Sequence, residues 1–213
     1  MTCRSTRDTA FLGGVTAAAT HEIRNILAIV KESAGLVEDC CQRDEDGVDL
    51  DRIRRALGRI QRQVTRGTDL MVSLSRVAHA GEESLAEIDL GAELEHTVLL
   101  CQRIGRRKSQ QVHLQPPGAT ITVRTDPLLL QELLFAAVAR CLAGRVPGAV
   151  LRVSLLRVEG RPAVALTSDD APDADAGLTP QTPSLEELAA EIGVQLRKTD
   201  ARGDLLLLLS APG

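Results

Sequence analysis

The chain has 213 residues, 44% of them hydrophobic and 25% charged, a balance ordinary for a globular protein and too apolar for a disordered one. Twenty-five Lys and Arg against 29 Asp and Glu leave a net charge of −4, so no global basicity points to nucleic acid. Phe11 and Phe135 are the only aromatics, which argues against base stacking on single strands and makes the core aliphatic. No apolar run reaches the roughly 18 residues that span a bilayer, and the opening MTCRSTRDTA lacks the hydrophobic stretch of a signal peptide. A soluble, cytoplasmic protein with no membrane partner is expected. Five cysteines (Cys3, Cys40, Cys41, Cys101, Cys141), odd in number and without a CxxC pair, read as buried free thiols rather than disulfides or a zinc site.

The first eighty residues read as two long helices. Phe11, Val15, Ala18, Ala19, Ile23, Ile26, Val30, Ala34, Val37 and Cys41 recur at steps of three and four, one stripe of a helix. QRDEDGVD, residues 42 to 49, is polar and acidic and is the turn. In the second helix Ile53, Leu57, Ile60, Val64, Gly67, Met71, Leu74 and Ala78 alternate steps of four and three, a heptad seam for shallow antiparallel packing. A hairpin cannot bury such stripes alone, so a homodimer forming a four-helix bundle is predicted.

HAGEE, residues 79 to 83, marks a boundary, giving a hairpin over 1–80 and a second unit over 84–213. There, residues 90–101 read as a helix and 119–124 as a strand. Asp126-Pro127 caps a helix over 128–143. Residues 150–158 and 162–167 read as a hairpin turned by Glu159-Gly160. Ser184 and Glu187 form a capping box for a short helix ending before Gly193, and residues 194–198 and 204–209 make a last hairpin. The class is α+β, a helical hairpin followed by an α/β sandwich with helices over one face of a mostly antiparallel sheet.

At about 100° per residue, His21 falls roughly opposite the apolar stripe of the first helix, with Asn25 one turn along and Glu22 and Arg24 flanking it. An exposed imidazole on a rigid helix is a competent nucleophile toward phosphorus. Glu22 is placed to take its proton, and Asn25 to hold a water in line with a phosphoryl group. The second helix carries Arg52, Arg54, Arg55, Arg59, Arg62, Arg66 and Arg76 against Asp51 and Asp69. With Arg24, the residues Arg55, Arg59 and Arg62 are the candidate docking face for an acidic partner, where charge raises the encounter rate. His79, His96 and His113 have no ligands at metal spacing and read as structural.

The string THEIRNIL, residues 20 to 27 within FLGGVTAAATHEIRNILAIVKESAGLV, resembles the phosphoacceptor box of sensor histidine kinases. The heptad-patterned helix and the α/β unit follow in that family's order. The resemblance implies that His21 takes a phosphoryl group, Glu22 serves as acid/base and Asn25 supports phosphatase chemistry. It departs from the family at Leu27, where a proline is usual, which puts a helix kink in doubt. It departs further downstream. At the positions matching the family's nucleotide-helix asparagines stand Phe135 and Ala139, neither able to ligate a metal. Asp169 or Asp170 stands in for the adenine-binding aspartate, but the glycines that should follow are missing. The lid reduces to residues 176–180 without a glycine-rich cradle. A degenerate ATPase-like unit that binds neither nucleotide nor metal is therefore expected.

Together these imply a histidine phosphotransfer protein that relays phosphoryl groups through His21, without autophosphorylation from ATP. Its expected partners are a second copy, response-regulator receiver domains, which supply their own magnesium, and a histidine kinase; nucleic acid is not among them. The rivals are an ATP-dependent kinase or a regulator phosphatase, and a non-enzymatic scaffold or kinase inhibitor.

Overall fold

The computed structural model describes residues 2–42, 49–106, 109–143, 145–169, 184–198 and 204–210. Helix α1 (Thr2–Cys41) is continuous through Leu27, as expected for a helix that lacks a proline there. Helix α2 (Leu50–His79) starts at Asp49, whose carboxylate accepts from the Arg52 backbone N–H at 2.8 Å. The two run antiparallel, because Glu22 pairs with Arg66 while Glu32, further along α1, pairs with the earlier Arg59.

The buried rows differ from the sequence stripes by one position each. On α1 the lower half buries Ser33 and Cys40, and Ala34 and Cys41 face outward. On α2 the row against α1 is Ile53, Ala56, Ile60, Gln63, Gly67, Leu70, Leu74 and Val77. Half of the predicted α2 seam is therefore turned out: Leu57, Val64 and Met71 are 48, 54 and 61% exposed. A single neighbouring helix covers one a/d seam only. The flanking row that a stripe count merges with that seam is left for something else.

The rest of the chain is an α/β sandwich. A two-stranded sheet pairs β1 (Ala86–Asp89) with β3 (Thr122–Thr125), antiparallel. A five-stranded sheet has the order β2-β4-β5-β7-β6. It comprises β2 (Gln111–Leu114), β4 (Val150–Val158), β5 (Arg161–Ser168), β6 (Gln195–Lys198) and β7 (Leu205–Leu208). Only β2 runs parallel to its neighbour, β4. The β4–β5 turn places Glu159 at φ 53° and Gly160 at φ 77°, the left-handed pair of a type I′ hairpin, whose twist matches that of the strands. Strands β1 and β2 were not predicted. Neither pairs with an adjacent segment across a tight turn; their partners lie more than 30 residues away.

Helices α3 (Leu90–Arg106), α4 (Pro127–Ala143) and α5 (Leu185–Glu191) cover one face of this sheet. Asp89, Asp126 and Ser184 cap them, each side chain accepting from a backbone N–H in the first turn. The core joins Leu94, Leu130, Leu133 and Ala137 of the helices to Val153, Val164 and Leu207 of the sheet. Because side chains alternate along a strand, Ala163, Ala165, Leu206 and Leu208 form a separate cluster on the other face.

The hairpin is seated on the sandwich by a mixed seam. Val15, Ala19, Ile26, Leu70 and Val77 share one apolar cluster with Leu100 of α3, and Phe11, Leu74 and Phe135 pack against it. The Phe11 and Phe135 rings meet edge to face, with centroids 5.7 Å apart. Around this patch, Arg7 Nε lies 2.9 Å from Glu132 of α4 and Arg7 Nη1 2.6 Å from Glu191 of α5. On the α2 side, Ser73 meets His96 at 2.9 Å and Arg76 meets Glu93 at 3.4 Å.

Candidate functional site

Halfway along α1, the exposed and buried residues alternate as helical geometry requires. Val15, Ala19, Glu22 and Ile26 are buried, while Thr20, His21, Arg24 and Asn25 are exposed. His21 therefore stands in solvent on a helix held along its length by α2, and Asn25 lies four residues on, over the same face. The imidazole is open to an approaching group, and the rigid helix gives it a defined direction.

Glu22 differs from the arrangement its sequence position implies. It is buried, and its carboxylate reaches across the hairpin to the Arg66 guanidinium of α2. Behind the pair lies a cavity of about 20 Å³ lined by Val15, Ala19, Leu70, Leu100, Gln102 and Phe135. That is room for about one water molecule. The residue beside His21 is thus enclosed by α2, α3 and α4 together. Sequence reasoning placed Arg66 in a row of surface arginines. The missed signal is its position flanking the buried seam, where an arginine meets a carboxylate on the facing helix.

The candidate docking arginines lie on the described surface. Arg24, Arg55, Arg59 and Arg62 are all exposed, and Arg59 reaches Glu32 of α1 at 3.6 Å. Arg54 pairs with Asp51 at 3.0 Å, and Arg76 joins the seam to α3 through Glu93. Not all seven arginines are therefore available to a partner. The remaining histidines hold ordinary polar contacts: His79 with Glu82 at 2.7 Å, His113 with Gln111 at 2.8 Å, and His96 with Ser73. Among the described residues no group of three His, Cys, Asp or Glu is gathered as metal ligands.

At the positions where a nucleotide helix would carry asparagines, Phe135 is packed against Phe11 of the hairpin, and Ala139 follows one turn later on α4. Asp169, at the end of β5, pairs with Arg152 at 2.6 Å, so an arginine offsets its charge. Asp170 and the lid residues 176–180 lie outside the described residues. Among the described residues no helix is long and apolar enough to cross a membrane.

No protein-family model matches the sequence, and no curated protein matches it. The likeness is to solved structures, among them the cytoplasmic segments of histidine kinases and a bacterial phosphotransferase. The cytoplasmic segment of histidine kinase QseC aligns at 19% identity over 71% of this chain and 95% of its own, with a TM-score of 0.47. A structure described as a bacterial phosphotransferase aligns at 16% identity over 93% and 95% of the two chains, with a TM-score of 0.48. Histidine kinase ThkA, solved in complex with response regulator protein TrrA, aligns at 14% identity over 95% of this chain and 62% of its own, with a TM-score of 0.46. Similarity at these levels concerns the outline of the fold alone.

Proposed function

We propose that this protein is a two-component phosphotransfer protein that carries phosphoryl groups on His21, to or from the aspartate of a response-regulator receiver domain. The observation that carries the reading is the exposed imidazole of His21 on a rigid helix, with Asn25 over the same face. One imidazole nitrogen attacks the phosphorus of the partner's acyl phosphate. The N–P bond forms as the P–O bond breaks, the partner keeps a carboxylate, and the imidazole proton leaves to Glu22 or to water. The protein's contribution is direction and exposure, while the partner's own magnesium neutralises the phosphoryl charge.

Two further features support relay over autophosphorylation, and assembly as a homodimer. Phe135 is occupied in packing the hairpin against α4, in place of a side chain able to ligate a metal. The exposed residues Leu50, Leu57, Val64 and Met71 recur every seven residues along α2. That row fits a second hairpin, and four helices would then cover what two leave open. Arg24, Arg55 and Arg62 lie on the exposed surface for an acidic partner, with Arg59 tied to Glu32.

The test offers the purified protein a panel of receiver domains phosphorylated with labelled acetyl phosphate. Acid-labile label on the wild type and none on His21→Ala is expected. Label from ATP and magnesium on His21 would instead make the protein a kinase. Asn25 supports a second reading, a receiver phosphatase. In that case loss of receiver phosphate survives His21→Ala and stops in Asn25→Ala.

A further inference from the structure

Glu22 is 9% exposed and adjoins the proposed phosphoryl carrier, and the arginine that meets it comes from the other helix of the hairpin. A proton acceptor must be aimed, and a buried carboxylate is held in place by the group it pairs with. A general base beside a nucleophile is commonly oriented by a third group. Here that third place is taken by a guanidinium, itself three-quarters buried, whose planar fork fixes a carboxylate more tightly than an ammonium can. Burial separates Arg66 from the exposed arginines of the same helix, Arg55, Arg59 and Arg62.

We propose that Arg66 is a positioning residue for phosphoryl transfer. It holds the Glu22 carboxylate in one orientation, one residue along α1 from His21, and through the cavity it shares with Leu99, Leu100 and Gln102 it ties that orientation to the seating of the sandwich. The inference rests on the phosphotransfer reading above. It gives Arg66 a role in the chemical step, where the sequence pattern places it only in a row of arginines along α2. A docking arginine alters partner affinity. A positioning arginine alters the rate once the partner is bound.

The experiment measures transfer from a phosphorylated receiver domain to the full-length protein under single-turnover conditions, across receiver concentrations. It compares wild type, Arg66→Met, Arg66→Lys, Glu22→Gln and the Glu22→Gln/Arg66→Met double variant. Arg66→Met is expected to lower the saturating rate roughly ten- to hundredfold, the scale of a displaced catalytic group, with half-saturation within about twofold. Arg66→Lys, which keeps the charge but not the fork, is expected to recover only part of that loss, and the double variant to be no slower than the slower single variant. Thermal melts identify any variant that does not fold, and Arg66→Lys, which keeps charge and length, serves if Arg66→Met is one. An unchanged saturating rate in Arg66→Met, a loss confined to half-saturation, or multiplying single effects overturns the positioning role and leaves the phosphotransfer reading standing. No transfer to wild type from any receiver overturns both.

Discussion

Burial, then Arg76, holds the His96 ring below the usual imidazole range, against opposing pulls from Glu93 and Glu95. Ser73 Oγ lies 2.9 Å from both the Asp69 carbonyl and His96 Nδ1. A histidine with a lowered folded-state pKa costs nothing above its unfolded value of about 6.5. It then subtracts stability as pH falls through the window between the unfolded and folded values. The melting temperature of the wild type should drop relative to His96→Gln as pH falls below about 6.5, and equal slopes for the two would show that the ring is solvated. The thiols divide in the same way. Burial pushes Cys141 up to about 11 and drives Cys101 well above the ordinary thiol range, while Cys40 is buried and Cys41 exposed. Among these four, Cys41 should react first with a thiol reagent in the native protein. Equal rates for Cys41 and Cys101 would contradict the packing.

Helix α1 belongs to both parts of the molecule. Its middle pairs with α2, and its first turns reach α4 and α5 through Arg7 and Phe11. The Glu132 side chain is 3% exposed and faces the Arg7 guanidinium, so removing the arginine takes a counter-charge away from a buried carboxylate. Arg7→Ala is expected to cost roughly 3–5 kcal/mol in urea unfolding, and Arg7→Met with Glu132→Leu to regain most of it, because an apolar pair avoids desolvating two ions. A cost below about 1 kcal/mol for Arg7→Ala would place the pair with weak surface bridges. A second buried pair, Arg145 with Asp204 at 3.1 Å, ties the end of α4 to β5, since the same carboxylate accepts from the Ser168 backbone N–H.

At the scale of the whole molecule, the open question is what covers the outward row of α2. Leu50, Leu57, Val64 and Met71 are each about half or more exposed, at a spacing of seven. It is the row that the proposed dimer would bury. If a second hairpin covers it, Val64→Asp should turn a dimer into a monomer in light scattering at micromolar concentration. The variant should keep its helix content, because Val64 contributes little to the in-chain core. A wild type that is already monomeric would remove the four-helix bundle from the account.

The sequence by itself determined the elements whose signals are local. Two apolar-striped helices, the Ser184 capping box, the Glu159-Gly160 turn and the outward place of His21 all follow from the spacing of a few neighbouring residues. The tertiary structure decided whatever depends on which helix faces which. It chose Ser33 over Ala34 for the α1 interior, turned half of the α2 seam outward, and paired the four-residue strands β1 and β2 with partners distant in the chain. It also drew Arg66 from a row of like charges to meet Glu22. The reason is one of range: periodicity fixes a residue's angle around its own axis, whereas a partner's identity depends on contacts between segments more than 30 residues apart, which no short pattern encodes.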